Sequence, residues 1–389
     1  MTEWEKLLSL VPEGPDWKID WEAWSASSCK SFFERMAETW QNPNWHGEGD
    51  VWTHTRMVCE ELTSMESFRS LPKRLRQEIF LAALFHDIGK IPCTRLEDGC
   101  LVSPNHTAVG ARMAREFFRV DLGLGGKMEE IRFREAVCQL IRYHSVPTHI
   151  LDQADPERRI YKIAANGELT EDFTLELLRI LAEADVRGRI YPRIEESVEM
   201  VRLFGELAEE CACLRGPFSF PSPRAEYAYL SGRKVVPGQE LYDDTWGEVV
   251  LLSGLPGTGK DTYLREYFPD LPMVSLDELR WEFGVSPTEP QGPVAAAARE
   301  RAKEYLRKKQ PFVWNATSLT PSLREKQVRL FQNYRASVRI VYLETSFEEQ
   351  LQRNRNRAAR VPEEILGKMQ KNLVLPERFE AERVEWTAV

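Results

Sequence analysis

Apolar residues recur at helical spacing through Arg74–His86, Thr107–Phe118, Ile131–Tyr143 and Leu175–Asp185, the period of helices with one buried face. Little strand-type alternation interrupts them, so the first half of the chain predicts an all-α domain. Downstream the grammar changes. Short apolar runs at Val249–Leu252, Pro272–Val274, Phe312–Trp314 and Val338–Leu343 alternate with helical segments, which predicts a parallel sheet with helices on both faces. Between the halves, Gly216-Pro217-Phe218-Ser219-Phe220-Pro221-Ser222-Pro223 gathers prolines and serines that break regular structure. We therefore expect two domains: a helical one over 1–215, a linker or extended arm over 216–245, and an α/β one over 246–389. Within the arm, Tyr227–Tyr242 reads equally well as a hairpin.

Composition sets bounds on this picture. A chain of 389 residues can bury two cores. The net charge of −9 offers no global positive field for nucleic acid, although a local basic groove is compatible with it. No apolar run is long enough to span a bilayer and no charged-then-apolar leader opens the chain, so a soluble, cytoplasmic protein without a membrane partner is expected. Seven cysteines form no C-x-x-C pair, and reduced structural thiols are the expectation. The tryptophans crowded near the start, from Trp4 to Trp52, read as core and surface anchors rather than a platform for bases.

Candidate chemistry begins where the strand at Val249–Leu252 breaks into Gly254-Leu255-Pro256-Gly257-Thr258-Gly259-Lys260-Asp261-Thr262. In a G-x-x-x-x-G-K loop, small residues turn successive N–H groups toward phosphate oxygens, and the lysine reaches the terminal phosphates. The following helix adds its positive N-terminus. ATP or another nucleoside triphosphate, with Mg2+, is the expected ligand. Asp261 stands where Ser or Thr usually supplies a hydroxyl to the metal; either its carboxylate holds Mg2+ or Thr262 substitutes.

The acceptor must be read elsewhere. Asp277 follows the second strand and Arg280 lies one helical turn on, so a carboxylate can orient a hydroxyl while the arginine grips an acceptor phosphate. The same aspartate suits a helix N-cap. Further on, Arg353 and Arg357 are spaced to share a helix face, either as a mobile basic lid over a transferred phosphoryl group or as a solvated surface. Val313–Thr317, after the third strand, is expected to line the acceptor or nucleotide site.

The helical half has its own constellation. Of six histidines, His54, His86, His106 and His144 fall on successive predicted helices, with Asp87 beside His86 and Asp185 downstream. Imidazole and carboxylate without thiolate suit divalent Mn2+, Mg2+, Ni2+, Co2+ or iron better than structural zinc. Lys90, Arg187 and Arg189 are candidates to steady a phosphate oxygen, with a solvated helix end as the alternative. His149 is a candidate substrate contact, and His46 has no place in the pattern.

Leu84-Phe85-His86-Asp87-Ile88-Gly89-Lys90, with His54 upstream and Asp185 downstream, resembles the H…HD…D signature of the HD phosphohydrolase superfamily. The resemblance implies that His54, His86, Asp87 and Asp185 hold one metal. It also implies that His106 and His144 add a second, with Asp87 bridging, so that the ions activate water against a phosphoester.

Residues 246–375 resemble the 5′-hydroxyl polynucleotide kinase branch of the P-loop kinases. Carried over, Lys260 contacts the donor phosphates, Asp277 is the base, Arg280 binds the phosphate 3′ of the accepting nucleoside, and Arg353 or Arg357 is the lid residue. An HD module upstream of such a kinase resembles the bacterial HD-Pnk end-healing proteins. That implies a bifunctional enzyme on RNA or DNA ends, cooperating with a ligase: ATP-dependent phosphorylation of 5′-OH ends, and removal of 2′,3′-cyclic, 2′- or 3′-phosphate. Two other readings stay open. One is a nucleoside or nucleotide kinase fused to a nucleotide phosphohydrolase; the other is a phosphohydrolase regulated by a P-loop nucleotide sensor.

Overall fold

The computed structural model describes residues 1–286, 289–357 and 360–389. The chain forms two compact units, the first from Met1–Gly123 and Arg132–Phe218, the second from Leu124–Ile131 and Ser219–Val389. No helix among the described residues is long and apolar enough to cross a membrane.

The first unit is helical. Asp50 caps helix α1 (Val51–Ser64) by accepting from Thr53 N, and Val51, His54, Thr55, Val58 and Leu62 form its buried face. His54 is therefore placed in the core by the same periodicity that buries its apolar neighbours. Helix α2 (Lys73–Phe85) is buried on all sides along Ile79–Phe85, an apolar stretch that delivers His86 and Asp87 into the interior. Helices α3 (His106–Glu116), α4 (Met128–Tyr143) and α5 (Leu175–Arg187) bring His106, His144 and Asp185. Leu178, Leu181, Ala182 and Asp185 share the inner face of α5.

One element breaks the all-helical expectation. Arg95–Glu97 (β1) and Cys100–Val102 (β2) pair antiparallel around Asp98-Gly99, both at positive φ. Asp-Gly in that conformation is a two-residue hairpin turn, and its brevity hid it among helical signals.

Glu78 on α2 is fully buried. Desolvation, then the charge of Asp172, pushes its carboxyl well above the ordinary 4.5, with Arg74 opposing. A carboxyl raised in the folded state contributes stability that is complete below its unfolded value and lost as pH climbs to the raised folded value. Glu78→Gln keeps the shape and a donor for Asp172, so it should stabilise the protein at pH 8 by about 1 kcal/mol and change little at pH 4. Chemical denaturation at both pH values checks this; equal effects would refute the assignment.

The second unit carries a five-stranded sheet in the order β4-β5-β3-β6-β7, every neighbouring pair parallel. The strands are β3 (Glu248–Ser253), β4 (Met273–Ser275), β5 (Phe312–Asn315), β6 (Ser337–Glu344) and β7 (Arg383–Ala388). Val249–Leu252 are buried on both faces, which is why β3 reads as an unbroken apolar run rather than an alternating one. The chain leaves β3 for β4 and returns beside it as β5, then passes to the other side as β6, so the end of β3 is the switch point where ligands gather. The edge strand β7 was not foreseen. Its Arg-Val-Glu-Trp pattern buries Val384 and Trp386 while Arg383 and Glu385 face outward.

Residues 216–245 hold more order than an arm. Ser222 caps a helix at Pro223–Leu230 by accepting from Ala225 N, with Pro223 in the first turn where its missing N–H is harmless. Glu226 of that helix pairs with Arg378. No strand occurs between Leu230 and Glu248, so the hairpin reading of Tyr227–Tyr242 does not hold.

Candidate active sites

In the first unit, four histidines turn Nδ1 outward and Nε2 inward. Nδ1 of His54 lies 3.2 Å from the Gly188 carbonyl, that of His86 2.8 Å from Ala83 O, that of His106 2.8 Å from Ser103 O, and that of His144 2.9 Å from Ile141 O. A carbonyl only accepts, so each Nδ1 carries the proton and each Nε2 offers a lone pair, the tautomer a metal requires. His54 Nε2 is 3.1 Å from Asp185 Oδ1 and 3.3 Å from His86 Nε2.

Asp87 divides the cluster between its two oxygens. Oδ2 lies 3.2 Å from His86 Nε2 and 3.7 Å from His54 Nε2, while Oδ1 lies 3.4 Å from His106 Nε2 and 3.8 Å from His144 Nε2. Oδ1 is buried without a hydrogen-bond partner. A buried carboxylate oxygen facing two lone pairs is a costly arrangement that a cation relieves. The donor set thus fits one or two divalent ions, and the structure brings all six sequence-derived candidates together.

Electrostatics agree with this. Burial opposes ionisation of Asp87, yet Lys90 and His86 hold it well below the usual carboxylate range. Asp185 is likewise held low, burial being outweighed by Arg189 and His54. Burial, then the neighbouring His86, lowers His144 to about 3. Burial also lowers His106, so both are neutral donors near pH 7.

The glycine after the His-Asp pair is a steric requirement. A Cβ at Gly89 would come within 2.0 Å of His106 O and 2.6 Å of Gly110 N, so only glycine lets α3 approach with His106.

The three candidate cations have different surroundings. Lys90 donates to Gln41 at 2.6 Å and pairs with Asp87 Oδ2 at 2.7 Å, so it is engaged with the cluster's own carboxylate. Arg189 pairs with Asp185. Arg187 instead pairs with Glu183 on its own helix, on the solvated side. His149 is exposed at the rim of the cleft.

The pattern missed His46, Glu48 and Gln41. Glu48, its side chain buried, reaches His46 Nδ1 at 2.8 Å and His54 Nδ1 at 3.0 Å, and accepts from Ile190 N at 2.9 Å. A carboxylate behind a ligating imidazole fixes the ring and raises its basicity. The signal was His46-Gly-Glu48 shortly before His54, but loop residues carry no period to announce it. Glu48→Gln should weaken metal binding by about ten- to a hundredfold. Competition against a chelator reads this directly, and unchanged affinity would remove Glu48 from that role.

In the second unit the loop between β3 and helix α6 (Lys260–Tyr267) has Gly254, Gly257 and Gly259 all at positive φ. Lys260 Nζ donates to the carbonyls of Gly254 and Leu255 at 2.9 and 2.8 Å, and burial lowers it to about 8. Pro256, Thr258 and Thr262 complete the loop and first turn; Thr258 Oγ1 donates to Leu255 O, whereas Thr262 Oγ1 meets Arg265 at 3.5 Å. Asp261 Oδ1 accepts from Asn315 Nδ2 at 2.8 Å. Its carboxylate is thereby fixed toward the end of β5.

Asp277 and Arg280 lie on helix α7 (Leu276–Phe283), where Ser275 rather than Asp277 is the N-cap. Arg280 pairs with one oxygen of Asp277, and Arg357 reaches the other at 3.2 Å. The helix expected to carry both lid arginines, α8 (Phe347–Arg355), ends before Arg357. Arg353 stays on it and brings Nη1 within 3.1 Å of the space a side chain at Gly259 would occupy. The two arginines thus approach the site from different directions. A pocket of about 280 Å³ joins Lys260, Asp277, Arg280 and Arg357 to a wall of Trp281, Val285, Val361, Ile365 and Met369, with Asn315–Thr317 beneath.

Comparison with known proteins gives two family matches. Residues 50–190 match the HD domain family and residues 249–376 match an AAA domain family. No curated protein matches the chain. Among solved structures it is similar to a gluconokinase from Sinorhizobium meliloti 1021, at 21% identity, over 36% of this chain and 82% of that chain, with a TM-score of 0.28. The chain thus joins a region similar to the HD domain family to a P-loop-bearing region similar to an AAA domain family.

Proposed function

We propose that this chain heals broken nucleic-acid ends, phosphorylating 5′-hydroxyls at the P-loop site and removing 2′,3′-cyclic, 2′- or 3′-phosphates at the HD site. The observation that carries the reading is the acceptor pocket. Asp277 sits between Arg280 and Arg357 at the edge of an apolar wall that includes the exposed indole of Trp281. A carboxylate that takes a hydroxyl proton, an arginine for a phosphate and a flat apolar surface match the 5′ end of a strand: hydroxyl, adjoining phosphate and base. A polyol acceptor would leave that wall without complementary surface.

At the P-loop site, Lys260 is to leave the loop carbonyls for the donor phosphates, and Arg353 is to offset charge on the phosphoryl group in flight. Asp261 and Asn315 are to hold the Mg2+ that supports the triphosphate. At the HD site, His54, His86, Asp87 and Asp185, with His106 and His144, are to hold divalent metal. That metal supplies an activated water and neutralises phosphoester oxygens. The protein's part is to fix the imidazole tautomers, bury the cluster and keep Lys90 and Arg189 at its mouth.

The decisive test uses an oligonucleotide bearing a 5′-hydroxyl and a 2′,3′-cyclic phosphate, incubated with ATP and Mg2+, Mn2+, Ni2+ or Co2+, with both ends followed. Conversion of both is expected. Free nucleosides phosphorylated as readily as the strand would favour the salvage reading. Hydrolysis that responds to ATP without any phosphorylation would favour the sensor reading. Two unchanged ends in every metal would refute the proposal.

A further inference from the structure

The HD cluster opens into a cleft of about 740 Å³, far more room than a metal-held phosphate needs. Most of its lining is polar, with Lys90, His106, His144 and Arg189 among it. One wall is different. Trp45 lines the cleft and is 44% exposed. Isolated exposed aromatics need no explanation; the position and support of this one do.

Three other indoles of the N-terminal segment are engaged elsewhere, and Trp40, though 64% exposed, is not among the residues lining the cleft. Trp24 is buried, Trp4 packs edge-on against Phe118 and Phe133, and Trp52 stacks on Phe33. Trp45 is instead held by two neighbours, one of which, Tyr191, lines the cleft beside it. The Arg193 guanidinium lies 5.2 Å from its ring centroid, and the Tyr191 ring stands 6.0 Å away at 52°. A cation over one face of an indole is favourable and holds the ring in place.

The backbone beneath Trp45 is fixed to the metal site. Trp45 N and His46 N both donate to Asn42 O, at 3.1 and 2.9 Å, and Gly47 N donates to Ile190 O at 2.9 Å. The next side chain, His46, is hydrogen-bonded to Glu48, which in turn supports His54. The indole and the metal ligand are therefore positioned by one short, ordered segment. A rigid aromatic next to a phosphate site is a preorganised surface for a flat π-system.

We propose that Trp45 is a nucleobase platform, so that the HD cleft selects a phosphate borne by a nucleoside over the same phosphate on a carrier without a base. The inference rests on the phosphoesterase reading above and names the recognition element of that site. It also reverses the sequence-based expectation for this one tryptophan.

The test compares wild type, Trp45→Ala and Trp45→Phe on three probes: adenosine 2′,3′-cyclic phosphate, an oligonucleotide ending in the same group, and 1-deoxyribose 2,3-cyclic phosphate, which lacks a base. Calorimetric binding of a non-hydrolysable 3′-phosphonate analogue of 3′-AMP gives a readout independent of turnover. Loss of one base–aromatic stack predicts that Trp45→Ala raises KM for the nucleotide probes, and weakens binding of the phosphonate analogue, by about tenfold. The kcat values and all constants for the base-less probe should stay within about twofold, and Trp45→Phe should retain most of the wild-type affinity. The mononucleotide and oligonucleotide arms show whether free nucleotides or strand ends gain more from the platform. Equal changes on all probes, or none on any, would overturn the proposal. Wild-type protein that hydrolyses no probe in any metal would remove the phosphoesterase reading itself, whereas wild type that handles the base-less probe as well as the nucleotides removes only the platform.

Discussion

Asp87→Asn should reduce hydrolysis at the histidine cluster to below about one-thousandth, while phosphorylation at the P-loop stays within about twofold. The size of the effect follows from the division of labour between the two carboxylate oxygens. Oδ2 faces His86 and Lys90, and Oδ1 faces His106 and His144. Asp185 faces His54 and His86 and lies near His144, whereas Asp87 also faces His106. An amide removes the shared negative charge. If its NH2 takes the Oδ1 position, it donates to the lone pairs of His106 and His144 and blocks them; if it takes the Oδ2 position, it meets the Lys90 ammonium, donor against donor. Neither orientation serves a cation. Metal content after dialysis should fall together with turnover. Full metal occupancy with intact hydrolysis would contradict the bridging geometry, and simultaneous loss of phosphorylation would mean that folding, not the site, had been damaged.

What could be read from sequence divides along physical lines. The helices that deliver His54 and Asp185 announce themselves because burying one face imposes a period, and each ligand occupies a position in that period. The phosphate loop was legible because positive φ at Gly254, Gly257 and Gly259 restricts the residue choice so strongly. Glu48 and Gln41 were not legible as neighbours of the cluster, nor Trp45 as a residue lining its cleft. They stand on a loop whose shape is set by hydrogen bonds to distant carbonyls, such as that from Gly47 N to Ile190 O, and nothing local encodes that. Asp277 was found by its position after a strand, but its second partner, Arg357, was misplaced: the spacing to Arg353 suits a helix that in fact ends at Arg355. Strand β7 was missed because one edge strand of six residues offers only three alternations, too few to stand out from a charged tail.

The same Asp277–Arg357 contact makes the second large effect predictable. Asp277→Ala should lower kcat for 5′-hydroxyl phosphorylation by about a hundred- to ten-thousandfold, the usual contribution of a positioned general base. ATP binding should change little, because Lys260 meets the loop carbonyls and not Asp277 by hydrogen bonds. Asp277→Asn separates two roles of the carboxylate. An amide oxygen still accepts from Arg280 or Arg357, so the arginines keep much of their placement, but it does not take up a hydroxyl proton. If Asp277 acts as the base, Asn and Ala lose kcat alike, with KM for the strand rising only in Ala. If Asp277 merely holds Arg280 and Arg357, Asn should recover most of the lost kcat. A third outcome, in which both variants keep ATP-dependent control of hydrolysis and no protein in the series phosphorylates any acceptor, would assign the P-loop to sensing. The comparison of Asn with Ala therefore tests the chemistry of the carboxylate apart from its geometry, which a single alanine variant does not.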